Sequence, residues 1–397
     1  MSEENNEKIR WKKRVIKNYK EHHEMVLRLA AGLIILFFFI NLILPSRPFS
    51  ANENRNLAQR PSLTVEGLKD GSFFSDFASY YADQFFLRDF WMSLNYRFHH
   101  LLGEKEFSNV YIGKDGYLLG KPEEPDQEAV NRTMLAVNAF SERYPEVNTA
   151  MILVPGAASI LQNKLPGNIS IRDQISDIEY FQNGLSERIK KVDAVKALQD
   201  HSGEPVYYKT DHHWTSEGAL YVFRSAFSVM GLDPDEVEYE EHIVSDSFQG
   251  TLASRSGDHS SRDRIQVYEP LPPGSEVHYI VNYPDLKTRS SSIFIRNRLE
   301  EKDQYTVFFG GNHPLVEIET TADSGRSLLV FKDSYANCFI QFLTPYYSRI
   351  VMVDPRYYYD DISSAMNTYG ITDILYLYSA DTLLRDTALA DTLNAGM

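Results

Sequence analysis

Hydrophobic and polar positions divide the chain into stretches of different periodicity. Residues 25–44, MVLRLAAGLIILFFFINLIL, are apolar on every side and interrupted only by Arg28 and Asn41. That length is close to the ~20 residues needed to cross a bilayer, so the segment predicts a transmembrane helix. From Ser72 to Leu102 apolar and aromatic residues recur at helical intervals, which predicts two helices. NVYIGKDGYLLG, 109–120, reads as strand, Lys-Asp-Gly turn and strand. A helical pattern over 127–143 leads to the continuous apolar run NTAMILVP, 148–155, expected of a strand covered on both faces. Helix over 175–191, strand at VDAVKAL and helix over 215–231 follow, the last with Thr215 or Ser216 as N-cap and Gly231 as its stop. After a polar stretch, 236–325, the pattern returns as strand 327–331, helix 332–347, strand 349–358 and strand 371–379. This alternation predicts an α/β fold with a mostly parallel sheet, interrupted by a polar β/loop insertion at 236–325. The expected segments are 1–24, 25–44, a helical 45–105, and a main domain 106–397.

Charge changes the picture at the N-terminus. Lys8, Arg10, Lys12, Lys13, Arg14, Lys17 and Lys20 precede the apolar run. Basic residues on that side predict a cytoplasmic tail, a retained signal anchor and everything beyond Pro45 outside the cell. A cleaved signal peptide is the alternative, but PSRPFSANEN offers no clean pair of small residues for a peptidase. The first 44 residues hold 8 Lys/Arg against 5 Asp/Glu, net +3, which leaves −18 for the remainder of a chain at −15. So acidic a domain repels nucleic acid. Cys338 is the only cysteine, so no intrachain disulfide forms and the outer domain rests on its core. A bacterial surface or periplasmic location fits both observations.

Two segments carry candidate chemistry. In LLVFKDSYANCF, 328–339, an apolar strand ends at Phe331 and a helix is expected soon after. Ser334 then sits on the turn between them, at the edge where open α/β sheets bind ligands. Nearby backbone N–H groups there favour developing negative charge; the alternative is that Ser334 or Asp333 only caps the helix. A serine nucleophile needs a base, and an imidazole base needs a partner that sets its tautomer. YYKTDHHWTSEGA, 207–219, supplies both: Asp211 and His213 can fall on one side of a loop while His212 points elsewhere and Trp214 lies alongside. Two other readings of the cluster stand beside this one, a structural knot and a metal site drawing on His201, His242 or His259. Against metal, there is no i, i+4 pair of imidazoles and no H-E-x-x-H. The backbone N–H of Ser334 is the first candidate for an oxyanion hole; Gly310, Gly311 and Asn312 in GGNHP supply the second, or simply a turn before Pro314. His313 and Cys338 read as structural. Tyr357, Tyr358 and Tyr359 could stack on sugars or pack at a strand edge, and Arg255 and Arg262 could touch a donor or glycan or be plain loop charges.

YYKTDHHWTSEGA followed by LLVFKDSYANCF resembles the DHHW protein family and, more distantly, the alginate O-acetyltransferase proteins of the SGNH-hydrolase superfamily. ENRNLAQRP, NVYIGKDGYLL and FFGGNHP fit the same family, so the likeness runs from about residue 50 to the end. The resemblance implies an SGNH-hydrolase-like α/β/α sandwich in permuted order, with the Asp-x-His pair ahead of the nucleophile. Carried over, Asp211 orients, His213 is the base and Ser334 the nucleophile; Lys332 stands where the superfamily has glycine. The implied activity is extracytoplasmic O-acetyl transfer to a cell-surface or exported polysaccharide, with a membrane-bound acyltransferase supplying the acetyl group and no cofactor or metal. A carbohydrate acetyl esterase and a non-catalytic glycan-binding protein are the alternatives.

Overall fold

The apolar N-terminal run lies within one helix, α1 (Glu3–Ile43), in the computed structural model, which describes residues 3–50, 55–233, 237–271 and 277–395. Ile16–Ile43 is long and apolar enough to cross a membrane, and side chains such as Ile34, Phe39 and Ile43 are exposed along it. The chain forms two units divided between Asn95 and Tyr96. In the first, α1 is followed by a short hairpin of β1 (Phe49–Ser50) and β2 (Arg55–Asn56), then α2 (Val65–Asp70), α3 (Ser72–Asp83) and the start of α4 (Arg88–Leu101). The last two are the helices expected between Ser72 and Leu102.

In the second unit, β3 (Glu106–Phe107), β4 (Val110–Ile112) and β5 (Leu118–Gly120) form a small antiparallel sheet. The turn between β4 and β5 takes positive φ at Asp115 and Gly116, as Lys-Asp-Gly suggests. Next come α5 (Gln127–Arg143), β6 (Asn148–Val154), the short α6 (Ala157–Ile160), α7 (Gln174–Asn183), β7 (Ile189–Val192), α8 (Ala194–Asp200) and α9 (Ser216–Met230). Residues 236–325 contribute the long hairpin β8 (Glu238–Phe248) and β9 (Asp263–Leu271), separated by α10 (Thr251–Ser256), then β10 (Tyr279–Tyr283), β11 (Thr288–Ser290) and β12 (Leu315–Thr320). The chain then lays down β13 (Ser327–Lys332), β14 (Arg349–Val353), α11 (Ile362–Thr368) and β15 (Asp373–Ser379).

Eight strands make the central sheet in the order β11-β10-β12-β14-β13-β15-β6-β7. The five from β14 to β7 are parallel, and β12, β10 and β11 add on antiparallel. Alternation along the parallel strands sends successive side chains to opposite layers. Ile152, Val154, Leu328, Val330, Leu375 and Leu377 share one core with Trp214, Ala219 and Phe223 around α9. Met151, Leu153, Leu329, Phe331, Ile374 and Tyr376 share the other with Val137 and Phe140 of α5, Phe181 of α7 and Ile362 of α11. This is an α/β/α sandwich, and its doubly covered strands account for the unbroken apolar runs.

Four elements differ from the periodicity. VDAVKAL is helical rather than extended: Asp193 accepts a hydrogen bond from Lys196 N–H at 2.9 Å and caps α8, whose buried residues Ala194 and Leu198 are an i, i+4 pair. The strand is the preceding Ile189–Val192, which overlaps the end of the helix expected over 175–191 and reaches only the first residue of VDAVKAL. Residues 332–347 form two 3-10 turns, Ser334–Ala336 and Ile340–Phe342, rather than one helix. That segment is buried on nearly every side, so no amphipathic stripe directs it. The strand from Arg349 stops at Val353, before Pro355, which has no N–H for a ladder. Within 236–325, β10, β11 and β12 join the main sheet; they read as polar because one face of these outer strands stays open while Val281, Val316 and Ile318 are buried.

Candidate active site

The parallel strands all deliver their carboxyl ends to one edge, and the polar groups collect there. Beyond β13, Asp333 is buried and braced: Oδ1 accepts from Tyr335 N–H at 2.9 Å, and Oδ2 accepts from Ser379 N–H at 3.0 Å and Oγ at 2.7 Å. This ties the end of β13 to the end of β15. Asp333 therefore holds the turn on which Ser334 stands.

The DHHW segment reaches the same edge as a loop between Tyr207 and α9. Asp263 clamps its start, accepting from Lys209 N–H at 2.7 Å and from Thr210 N–H and Oγ1 at 2.8 and 2.6 Å. Its end is tied to the serine turn by Trp214, whose Nε1–H donates to Tyr335 O at 2.9 Å and whose ring stacks on Phe339. Tyr335 Oη donates in return to His212 O. Asp211 is buried among four donors. Oδ1 accepts from His213 Nδ1–H at 2.6 Å and His213 N–H at 3.0 Å, and Oδ2 accepts from Thr251 N–H at 2.7 Å and Oγ1 at 3.0 Å. An ionised carboxylate only accepts, so the proton lies on His213 Nδ1 and the Nε2 lone pair faces outward. There the Ser334 hydroxyl donates to Nε2 at 2.7 Å. Tyr305 stacks on the His213 ring, centroids 3.9 Å apart, and its hydroxyl donates to Ser334 O at 3.0 Å.

The electrostatics suit this arrangement. Burial works to raise the Asp211 pKa, but the His212 and His213 imidazoles and the hydrogen bonds it accepts outweigh burial and hold it well below the usual carboxylate range. His212 donates Nδ1–H to Thr251 Oγ1 at 2.7 Å, since that hydroxyl spends its own proton on Asp211. Desolvation in the cleft wall, then the neighbouring His213 ring, push His212 down to about 4, against the pull of Asp211. Its Nε2 is an unprotonated acceptor. Asp211, His212 and His213 each bring a ligand atom within 4.8 Å of the others, as a metal site would. Here both Asp211 oxygens, both His213 nitrogens and His212 Nδ1 are engaged by Thr251, Ser334 and one another. His201 instead pairs with Glu204 and stacks on Tyr221, and His242 lies beside Glu240 and Glu269.

Ser334 opens onto a cleft of about 350 Å³ whose walls include Gly156, Ala157, His212, Arg255 and Arg356. Gly311 and Asn312 are not among its lining residues. Gly310 and Gly311 form a turn at positive φ, and Asn312 Oδ1 accepts from Lys332 Nζ at 3.0 Å and Asn337 Nδ2 at 3.2 Å. GGNHP thus supports Lys332, which also donates to Asn337 Oδ1 at 2.8 Å and lies 3.8 Å from Asp354. His313 bridges Asp285 and Phe309 O. Cys338 is buried, and burial pushes its thiol up to about 12. Sequence reasoning missed Asp263, Gly250, Thr251 and Tyr305; the Gly-Thr pair opening α10 was the available signal, inside a stretch read as loop.

The α/β/α sandwich with its mostly parallel sheet matches the fold of SGNH-like structures. The chain belongs to the DHHW protein family, which matches residues 144–353. Among solved structures it is similar to a DHHW family protein from Eubacterium siraeum: 23% identity, 72% of this chain and 95% of that one covered, TM-score 0.60. Bacillus cereus PatB1 with a sulfonyl adduct is 19% identical over 70% of this chain and 96% of its own, TM-score 0.58. The O-acetyltransferase domain of Pseudomonas putida AlgJ is 15% identical over 72% and 99%, TM-score 0.44. Among curated protein sequences none matches the chain.

Proposed function

We propose that the chain is an extracytoplasmic O-acetyltransferase that acts on a cell-surface or exported polysaccharide through Ser334, His213 and Asp211. The observation that carries this reading is the continuous run from Asp211 Oδ1 to His213, 2.6 Å, and from His213 Nε2 to the Ser334 hydroxyl, 2.7 Å. As Ser334 Oγ attacks the acetyl carbonyl, its proton passes to His213 Nε2 and Asp211 stabilises the imidazolium. The carbonyl π electrons move to oxygen, where the Ser334 N–H is the assigned donor. Collapse expels the donor's leaving group, which takes the proton from His213, and leaves acetyl on Ser334. A sugar hydroxyl then gives its proton to His213 and attacks the acetyl carbon, and collapse returns the proton to Ser334. Water in place of the sugar makes the same site an esterase. Transfer is favoured by the resemblance of the two motifs to alginate O-acetyltransferase proteins.

In this account α1 anchors the protein with its basic end in the cytoplasm, residues 45–105 follow the anchor, and 106–397 form the catalytic domain. A membrane-bound acyltransferase delivers the acetyl group. The test gives the full-length protein in detergent p-nitrophenyl acetate and neutral oligosaccharides, and seeks acetylated sugar by mass. Transfer in the wild type and none in Ser334→Ala is expected. Acetate released only to water means an esterase, and no turnover by folded protein contradicts an enzyme.

A further inference from the structure

A second cleft of about 760 Å³ opens along the same edge of the sheet, a size typical of ligand sites. Pro314 and Leu315 at the start of β12 contribute apolar surface, and Asp285, Asp360, Ser364 and Thr368 contribute polar groups. Its rim carries the triple tyrosine. Tyr358 is 6% exposed and sits in the core with Ile362 and Met366, which leaves Tyr357, 47% exposed, and Tyr359, 89% exposed, outside. A buried middle ring thus anchors two flanking rings at the cleft.

The two clefts share a wall. Arg356 lines the Ser334 cleft, and the next five residues, Tyr357 to Asp361, line the other. That wall is pinned from beneath: buried Asp354 accepts from Arg356 Nε at 2.8 Å and Nη2 at 2.7 Å, with Lys332 Nζ 3.8 Å away. Lys332 is two residues from Ser334. The Arg356 guanidinium also lies 5.5 Å over the Tyr357 ring. One rigid segment therefore fixes the tyrosine rim relative to the serine.

We propose that this tyrosine-rimmed cleft is a subsite for neutral sugar residues of the glycan that bears the acetylated hydroxyl. Exposed tyrosines offer an apolar ring face and a polar tip, which suits a pyranose with one C–H face and a hydroxylated edge. Ionised carboxylates only accept hydrogen bonds, and sugar hydroxyls are ready donors. The same carboxylates select against acidic sugars. Asp285 is paired with His313 at 2.8 Å and Asp361 caps α11, accepting from Ser363 N–H at 2.9 Å and Ser364 Oγ at 3.1 Å; with Asp360 they give the cleft a negative charge that disfavours a uronate. The acceptor is then a polymer of neutral hexopyranoses that crosses the Arg356 wall, rather than a polyuronate. Its being the acceptor rests on the function proposed above; binding at the tyrosines does not.

The test titrates full-length protein in detergent micelles, wild type and Ser334→Ala, with cellohexaose, chitohexaose, laminarihexaose and mannohexaose, and with hexamannuronate as the acidic comparison. At least one neutral hexamer is expected to bind both proteins equally and hexamannuronate to bind neither. Tyr359→Ala and Tyr357→Ala are expected to weaken binding about tenfold or more; both side chains are exposed enough to be removed without disturbing the core. Failure of every neutral hexamer to bind, binding indifferent to the tyrosines, or equal binding of the uronate overturns the subsite. Binding that persists while no acetyl is transferred overturns the enzymatic reading and leaves the subsite standing.

Discussion

A methyl group at position 250 would lie 2.2 Å from both Cβ and Oδ2 of Asp211, so glycine there lets α10 present Thr251 N–H to the carboxylate. Gly250→Ala is expected to displace Asp211, costing about 100-fold or more in ester turnover for about 1–3 kcal/mol of stability. Turnover and urea denaturation measured together check both figures; unchanged turnover contradicts the carboxylate's role. Asp211→Asn keeps the shape but offers His213 the wrong partner, and kcat is expected to fall by about 10⁴. Because the Asp211 pKa is depressed, its stabilising contribution is present above the unfolded value of 3.8 and disappears only as pH falls through the lower folded value. Mild acid should therefore leave Asp211 ionised. The meeting of Asp211, His213 and Ser334 was legible because carboxylate, imidazole and hydroxyl are distinctive residue types in recognisable motifs. Gly250, Thr251, Tyr305 and Asp263 were not: they offer a missing Cβ, a backbone N–H, a ring face and a buried clamp, none of which periodicity or residue type reveals.

At the scale of elements, the end of β13 carries an unusual load. Lys332 is 1% exposed, and burial pushes its pKa down to about 8 from 10.5, against the pull of Asp354. A depressed lysine is least costly above its unfolded value. As pH falls from 10.5 toward 8 the unfolded chain takes up a proton that the folded chain refuses, so stability falls. Each pKa unit corresponds to about 1.4 kcal/mol. Wild-type unfolding free energy should therefore rise by about 3 kcal/mol more between pH 8 and 10.5 than that of Lys332→Met, measured by urea titration at each pH. Parallel slopes for the two proteins contradict the assignment. The strands around Lys332 were legible because burial on both faces writes an unbroken apolar run, as in SLLVFK and DILYLYS. The 334–342 turns and the strands within 236–325 were not, since packing from all sides hides helical period in one and an open face dilutes the apolar signal in the other.

For the whole molecule, the proposed anchor makes a topological prediction. Cys338 is buried and its thiol is pushed up to about 12, so it stays silent to maleimides in the folded protein. A cysteine placed at exposed Glu187, as Glu187→Cys, should react with a membrane-impermeant maleimide on intact cells; labelling only after lysis would put the main domain inside. The central claim concerns chain closure, since His213 and Ser334 lie 121 positions apart yet share a 2.7 Å hydrogen bond. It is tested most directly by treating full-length protein with a fluorophosphonate and locating the adduct by peptide mass. The account predicts stoichiometric labelling at Ser334 that is lost in folded His213→Ala; folded wild-type protein that takes up no label, or one whose Ser334 labels as fast without His213, contradicts it.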